Sequence, residues 1–439
     1  MGAVDVRDSS IEVLLHELSR THRVTGAQLV VRRTGGTASA VAGLEDLDSG
    51  GAVTARSRFP FGSVTKVLTA TVVLQLAADG DLDLDEPVRD HVPELGMASW
   101  RAVTARQLLS HSAGVVAGHE VEGRVASLRR YVRSCAREPL VARPGTVFSY
   151  SNTGYVVLGR LIEAITGYRW YDAIDSFLAG PLGLGLSYLD RQFGWSSVRA
   201  HAVLGQTVTP LDVELPGGWG PAGGVAGSAT DLATLAHLLM TGEPDGVLDV
   251  DLATDMRTGV PGLQPLDLAD GWGLGLALYG GGWLGHDGTL DGASAHLRFH
   301  PSRGTIVALT TNASSGTALW EDLWSRLGFG TPAAVPSGPH SLPDLRGYLA
   351  DDYRNGDLRF EVTRNGTGGL RLRDDTGFAA ALHPGVEPDV FTVHRADIRS
   401  PTQRCRFVRD DAGNVVALQL SGRLATRGGV EAAVWSASS

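Results

Sequence analysis

The spacing of apolar and polar positions divides the chain into two regimes that meet near residue 330. In the first, helix-length apolar runs alternate with short strand-like ones. Residues 1–24 mix Asp5, Asp8, Glu12 and Glu17 with a single apolar run at 11–15, which predicts an amphipathic helix. Residues 26–31 and 39–43 read as a hairpin, and 305–312 as a late strand. Apolar segments at 67–77, 155–165 and 232–240 suit helices, as does 321–327, while 272–279 is apolar and 296–300 strand-like. Ser228 followed by Asp231 has the spacing of a capping box that would start the helix at 232–240.

From 330 to 343 the chain carries four prolines and loses its apolar periodicity, which predicts a linker. Beyond it, short strand-like runs at 358–362, 369–372, 390–393, 405–408 and 415–420 are separated by turns such as Asn365-Gly366. Strands so short and so closely spaced predict a small barrel or sandwich. The expected organisation is a catalytic domain at 1–330, a linker at 331–343 and a β domain at 344–439.

Composition narrows the function. The 439 residues are 43% hydrophobic and 20% charged, ordinary for a globular protein, and the 57 glycines follow no period, so they mark turns. A net charge of −10 without a basic stripe argues against nucleic acid. Cys135 and Cys405 stand alone in sequence and suggest neither a disulfide framework nor a zinc site, so a reducing compartment fits best. No run approaches the roughly 20 apolar residues that span a bilayer. The 11–15 run is too short for a signal peptide's hydrophobic region, and the expected location is cytoplasmic.

One cation stands apart. The chain has 37 arginines and one lysine, Lys66. Arginine stays protonated in proteins, whereas a lysine can lose its proton when burial or a neighbouring cation lowers its pKa. Ser63 lies three residues earlier, in Phe61-Gly62-Ser63-Val64-Thr65-Lys66. If a helix begins near Ser63, the amine and the hydroxyl share a face, and the amine can take the hydroxyl proton.

Ser-x-x-Lys is also the first element of the serine β-lactamase and penicillin-binding-protein superfamily. Further stretches resemble class C β-lactamases and their esterase and D-peptidase relatives: residues 80–88, 107–114 with Ser110-His111-Ser112, and Tyr150-Ser151-Asn152 after residues 144–149. Gly285-His286-Asp287-Gly288-Thr289 stands where the family has Lys-Thr-Gly, and its histidine resembles the carboxylesterase and D-aminopeptidase branches. Trp219, Gly223 and Gly224 lie in a stretch similar to the family's segment beside the active site.

The resemblance covers about residues 10–330. It implies an α+β fold, with an antiparallel sheet built from both chain ends, flanking helices and an inserted all-helical region, followed by a lipocalin-like barrel. It further implies catalytic roles for Ser63, Lys66, Tyr150, Asn152 and His286, and an oxyanion hole from the backbone N–H groups of Ser63 and Thr289. Gly288 would let substrate lie against the strand edge. Gly223 and Gly224 would lie at the substrate, and Trp219 either lines the acyl pocket or sits in the core. By position alone, Arg423 and Arg427 either bind substrate, if the β domain leans over the site, or are ordinary strand-edge charges.

The chain lacks a Walker-type loop, a Gly-x-Ser-x-Gly elbow and His-Glu-x-x-His, and neither a cofactor nor a metal is expected. With a cytoplasmic location and a single lipocalin-like module, the sequence resembles the stand-alone penicillin-binding-protein-type thioesterases of nonribosomal peptide synthesis. These close a peptide with a D-configured C-terminal residue, taken from a carrier protein. Arg124, Arg129, Arg130, Arg133 and Arg137 form either a patch for an acidic carrier or a solvated helix face. The alternatives are a cytosolic esterase or D-stereospecific amidase, and a non-catalytic protein that is acylated without turnover. The oligomeric state is open.

Overall fold

The computed structural model describes residues 8–121, 127–189, 198–330, 345–366, 368–395 and 403–428, so the expected linker and Arg124 lie outside the described residues. Both chain ends of the first regime build one antiparallel sheet. Its strands are β1 (Gly26–Arg33), β2 (Gly36–Gly43), β3 (Gly271–Trp272), β4 (Ala277–Tyr279), β5 (Trp283–Leu290), β6 (Ala293–His300) and β7 (Thr305–Thr311). They lie in the order β2-β1-β7-β6-β5-β4-β3. Leu29 faces Leu309 where the N-terminal hairpin joins the late strand.

Helices cover the two faces of the sheet. Helix α1 (Asp8–His22) packs Ile11, Leu15 and Leu18 with Trp320 and Leu323 of α6 (Gly316–Arg326). Helix α2 (Thr65–Ala78) is buried almost all round, which its polar-poor sequence permits, and lies between the sheet and the helical region. That region includes α3 (Leu128–Cys135) and α4 (Asn152–Thr166). Helix α5 (Ala229–Thr241) begins at the expected capping box, with Ser228 Oγ accepting from the Asp231 N–H and the Asp231 carboxylate accepting from the Ser228 N–H. Among the described residues no helix is long and apolar enough to cross a membrane.

The C-terminal strands close into an eight-stranded antiparallel barrel: β8 (Ala350–Asn355), β9 (Leu358–Arg364), β10 (Leu370–Asp374), β11 (Ala379–Pro384), β12 (Val390–Arg395), β13 (Gln403–Arg409), β14 (Val415–Leu420) and β15 (Arg423–Arg427). Tyr353 opposite Arg427 closes the ring. Tyr348, Tyr353, Phe360, Phe391 and Phe407 fill the interior. Strand-pattern reading finds five of the eight strands. It misses β11, whose Ala-Ala-Ala and Pro384 have poor strand propensity, and the flanking β8 and β15. The apolar segment 272–279 is split into β3 and β4, because Gly275 turns the chain at a φ of 89°.

The barrel is hydrogen-bonded onto the catalytic domain through two hairpin ends. Asn355 at the end of β8 accepts from the Ala117 N–H at 2.5 Å and donates to the Leu424 carbonyl at 2.7 Å. At the β14–β15 turn the Gly422 carbonyl accepts from the Tyr150 N–H at 2.8 Å. Gly422 has a φ of 69°, and a Cβ there would sit 2.3 Å from the Leu268 side chain, so only glycine fits this approach.

Candidate active site

Ser63 sits in a 3₁₀ turn, Gly62–Val64, that runs directly into α2, so the nucleophile turn and Lys66 share one continuous element. Lys66 is fully buried, and its Nζ donates to the Ala222 carbonyl at 2.7 Å and to Ser63 Oγ at 3.1 Å. Burial first, and the nearby Arg423 cation second, hold the Lys66 amine well below its usual range. A neutral amine has a lone pair, so the Ser63 contact can reverse and the hydroxyl can donate to it.

An aromatic cage encloses that amine. Nζ lies 5.0 Å from the centroid of the Tyr150 ring and 5.7 Å from that of Tyr155. The Tyr150 side chain is buried, and its hydroxyl is turned toward Ser63. Burial pushes its pKa up to about 12, with Ser63 and Arg423 pulling the other way, so the phenol holds its proton at neutral pH. His286 projects from β5 toward Tyr150, with ring centroids 6.2 Å apart. Its Nδ1 lies 2.6 Å from the Asp287 carbonyl, which fixes the proton there and leaves Nε2 as a buried acceptor without a partner. Burial first, and then Lys66, lower the His286 pKa to about 3, so the ring is neutral and can accept a hydrogen bond but holds a proton poorly.

Two glycines bring β5 against the nucleophile turn. A Cβ on Gly288 would meet the Phe61 carbonyl at 2.0 Å and the Ser63 nitrogen at 2.9 Å, and one on Gly62 would meet the Thr289 nitrogen at 2.8 Å. The backbone nitrogens of Ser63 and Thr289 are therefore drawn to the same spot, the arrangement an oxyanion hole requires. The space that Gly288 leaves is taken by protein backbone. This corrects the expectation that substrate lies there.

A cavity of about 500 Å³ opens above Ser63, with Asn152, Trp219, Gly223 and Thr289 in its wall. Trp219 is held by an indole N–H bond to the Tyr131 hydroxyl at 3.1 Å. Gly224 is not part of this wall. A Cβ there would sit 2.8 Å from the Gly220 Cα, so its close packing serves the short helix Gly220–Gly223. Asn152 caps no contact of its own helix with its side chain; its N–H donates to the Ala117 carbonyl.

Arg427 is not at the site either. It is exposed and donates to the Gly347, Leu349 and Val415 carbonyls of the barrel. Arg423 lies beside the site: its guanidinium carbon is 5.1 Å from the centroid of the Tyr150 ring. Both arginines lie on the same face of β15, but four residues of strand separate them by about 13 Å. The docked turn at Gly422 decides which one reaches Tyr150. Among the described residues Arg423 makes no ion pair, and burial lowers its pKa.

His111 lies in a family-like stretch of the sequence but is given no role there. Its Nδ1 accepts from the Ser151 N–H at 3.1 Å, and its ring stacks at a tilt 4.2 Å from Tyr150. A φ of 56° at a non-glycine residue is the backbone signal, and it is invisible in sequence. Behind the strand, Asp287 accepts from His296 at 2.7 Å and from both Arg298 amino groups at 3.0 and 2.6 Å, tying β5 to β6. Among the described residues no three His, Cys, Asp or Glu side chains converge as a metal site.

A family model described as Beta-lactamase matches residues 11–328. Penicillin-binding protein 4 of Amycolatopsis lactamdurans is 38% identical over 331 residues, covering 71% of this chain and 86% of that protein. The crystal structure of SurE is 41% identical and superposes with a TM-score of 0.85 over 96% of this chain and 99% of its own. The structure of SurE with D-Leu, 40% identical, gives a TM-score of 0.81 over the same shares.

Proposed function

This chain belongs to the β-lactamase and penicillin-binding-protein superfamily, an acyl-transfer fold, and we propose that within it the protein is a thioesterase-type peptide cyclase. It would take a linear peptide from the phosphopantetheine arm of a carrier protein and close it head to tail. The observation that carries the reading is the whole-chain likeness to SurE, barrel included, together with the fact that SurE has been solved with a D-amino acid. A D-residue is therefore the proposed acyl donor.

In the first step neutral Lys66 takes the Ser63 proton as Oγ bonds the thioester carbonyl. The oxyanion is held by the N–H groups of Ser63 and Thr289. The C–S bond then breaks, and the thiol leaves with a proton passed from Lys66 through the Tyr150 hydroxyl. In the second step the peptide's own amine attacks the acyl-serine, the C–Oγ bond breaks as the amide forms, and the proton lost by the amine passes through Tyr150 and Lys66 to Ser63 Oγ. His286 Nε2 accepts a hydrogen bond from the attacking amine, and the Asn152 amide grips the peptide backbone. Arg423 and the barrel turn cover Tyr150, which disfavours water as the competing nucleophile.

The test is mass spectrometry of products from a synthetic peptidyl pantetheine thioester ending in a D-residue, with an L-ending control. A product one water lighter than the free acid, from the D-ending peptide alone, is expected. Free acid alone from both would make the protein a hydrolase and refute the cyclase.

A further inference from the structure

The short helix Ala105–Leu109 ends in a Schellman motif: the Ser112 N–H donates to the Gln107 carbonyl at 2.9 Å, and the His111 N–H to the Leu108 carbonyl at 3.3 Å. The residue just past such a cap takes a left-handed backbone, and glycine usually stands there. Here it is His111, with a φ of 56°. Its side chain is buried, and its Nε2 has no hydrogen-bond partner. Both the backbone and the unpartnered nitrogen cost free energy, so filling the core is a poor reason for a histidine at this position.

What His111 supplies is a clamp on the segment that carries Tyr150. Its carbonyl accepts from the Ser149 N–H at 2.8 Å, and its Nδ1 accepts from the Ser151 N–H at 3.1 Å. Between them the Tyr150 N–H donates to the Gly422 carbonyl of the barrel at 2.8 Å. The backbone is therefore held on both sides of the tyrosine, by His111 at the two flanking residues and by the barrel at Tyr150 itself. The His111 ring also lies 4.2 Å from the Tyr150 ring, and Trp272 packs edge-on against both, at 5.2 and 5.8 Å. An Nδ1 that accepts from an amide carries no proton, so the ring is in its neutral form with the proton on Nε2. Burial first, and then Lys66, His286 and Arg423, hold the His111 pKa well below its usual value, which keeps that acceptor available at neutral pH.

We infer that His111 is a positioning residue: by holding the Ser151 N–H on Nδ1 and its ring against Tyr150, it sets the phenol where it can protonate the departing group. The inference rests on the proposed proton path through Tyr150, and it applies whether water or an amine later releases the acyl group. His111 acts through Tyr150 and not on the reacting atoms.

The experiment compares kcat/KM for two esters of one N-acetylated peptide ending in a D-residue, a p-nitrophenyl ester and an ethyl ester. p-Nitrophenolate leaves without a proton, whereas ethoxide needs one, so only the ethyl ester reports a well-placed Tyr150 hydroxyl. Tyr150→Phe sets the scale: it should cost the ethyl ester about 100-fold more than the p-nitrophenyl ester. His111→Phe keeps a ring and removes the acceptor, and it should show the same selective loss, by about tenfold or more. His111→Asn should recover most of the ethyl-ester rate, because its amide oxygen can take the Ser151 N–H and asparagine tolerates a positive φ. Equal losses on both esters in His111→Phe, or an Asn variant no better than Phe, overturns the inference. Equal losses in Tyr150→Phe would instead strike down the proton path on which it rests, so the two failures are distinguishable. Nitrogen-15 NMR of the unaltered enzyme needs no active variant. It should show His111 Nδ1 without a proton and Nε2 with one, the signals being assigned by their absence from His111→Asn, and a proton on Nδ1 overturns the inference.

Discussion

Arg423 reaches the site only because the barrel carries it there, and its charge should be measurable through Lys66. Arg423 Cζ and Lys66 Nζ lie 5.1 and 5.0 Å from the centroid of the same Tyr150 ring, so they are at most about 10 Å apart, where two unit charges repel by roughly 2 kcal/mol at an effective dielectric constant of ~20. That repulsion adds to burial in lowering the Lys66 pKa. The sign follows from the mechanism. Acylation needs the neutral amine, which exists above the Lys66 pKa, so the acidic limb of the kcat/KM profile marks that pKa. Arg423→Ala removes a cation that disfavours the protonated amine, and it admits water, which disfavours it less than burial does. Both effects raise the Lys66 pKa, and the acidic limb should move to higher pH. The assay is kcat/KM across pH with an N-acetylated peptidyl ester, which leaves only the enzyme to titrate. Arg423→Lys keeps the charge and should restore the limb to near its original position. A limb that stays put or moves to lower pH in Arg423→Ala would refute the electrostatic reasoning.

Further predictions rest on other parts of the site. Lys66→Arg should lower acylation by at least ~100-fold, because a guanidinium keeps its proton and cannot act as base; burst kinetics with an activated ester measures it. Gly288→Ala should lower kcat by about 100-fold with a smaller change in KM, since a Cβ 2.0 Å from the Phe61 carbonyl forces β5 away from Ser63 and displaces the oxyanion donors. Near-normal kcat would show that Thr289 does not serve there. Asp287→Asn should destabilise the fold by roughly 1 to 2 kcal/mol in chemical denaturation, less than a fully enclosed ion pair would cost, because 41% of the Asp287 side chain is accessible and water screens it. Although burial alone would raise the Asp287 pKa, Arg298 and His296 hold it below its usual value, so this stabilisation is present above the ordinary carboxylate range and is lost as pH falls through the lowered pKa. The variant should accordingly show a flatter loss of stability with acid.

Much of the site was legible because it is local. Ser63 and Lys66 are three residues apart at the start of one helix, and connectivity alone puts hydroxyl and amine within 3.1 Å. The capping box at Ser228 and Asp231 is legible for the same reason, and so are those barrel strands whose residues favour a pleated surface. The sequence also singled out Tyr150, Asn152 and His286 by their order along the chain, through likeness to a family.

What the tertiary structure alone decided is which distant groups meet. Arg423 and Arg427 share a strand face and a residue type, and nothing local distinguishes them; the Gly422 carbonyl bonded to the Tyr150 N–H selects the first. The His111 ring comes against Tyr150, which follows it by some 40 residues, only once their loops are packed together. Gly288 reads in sequence as room for a substrate, and in the fold that room belongs to the Phe61 carbonyl. Short-range geometry is fixed by covalent spacing and backbone preference, whereas convergence of remote side chains depends on how whole surfaces dock, and docking is a property of the sum of those surfaces that no single segment encodes.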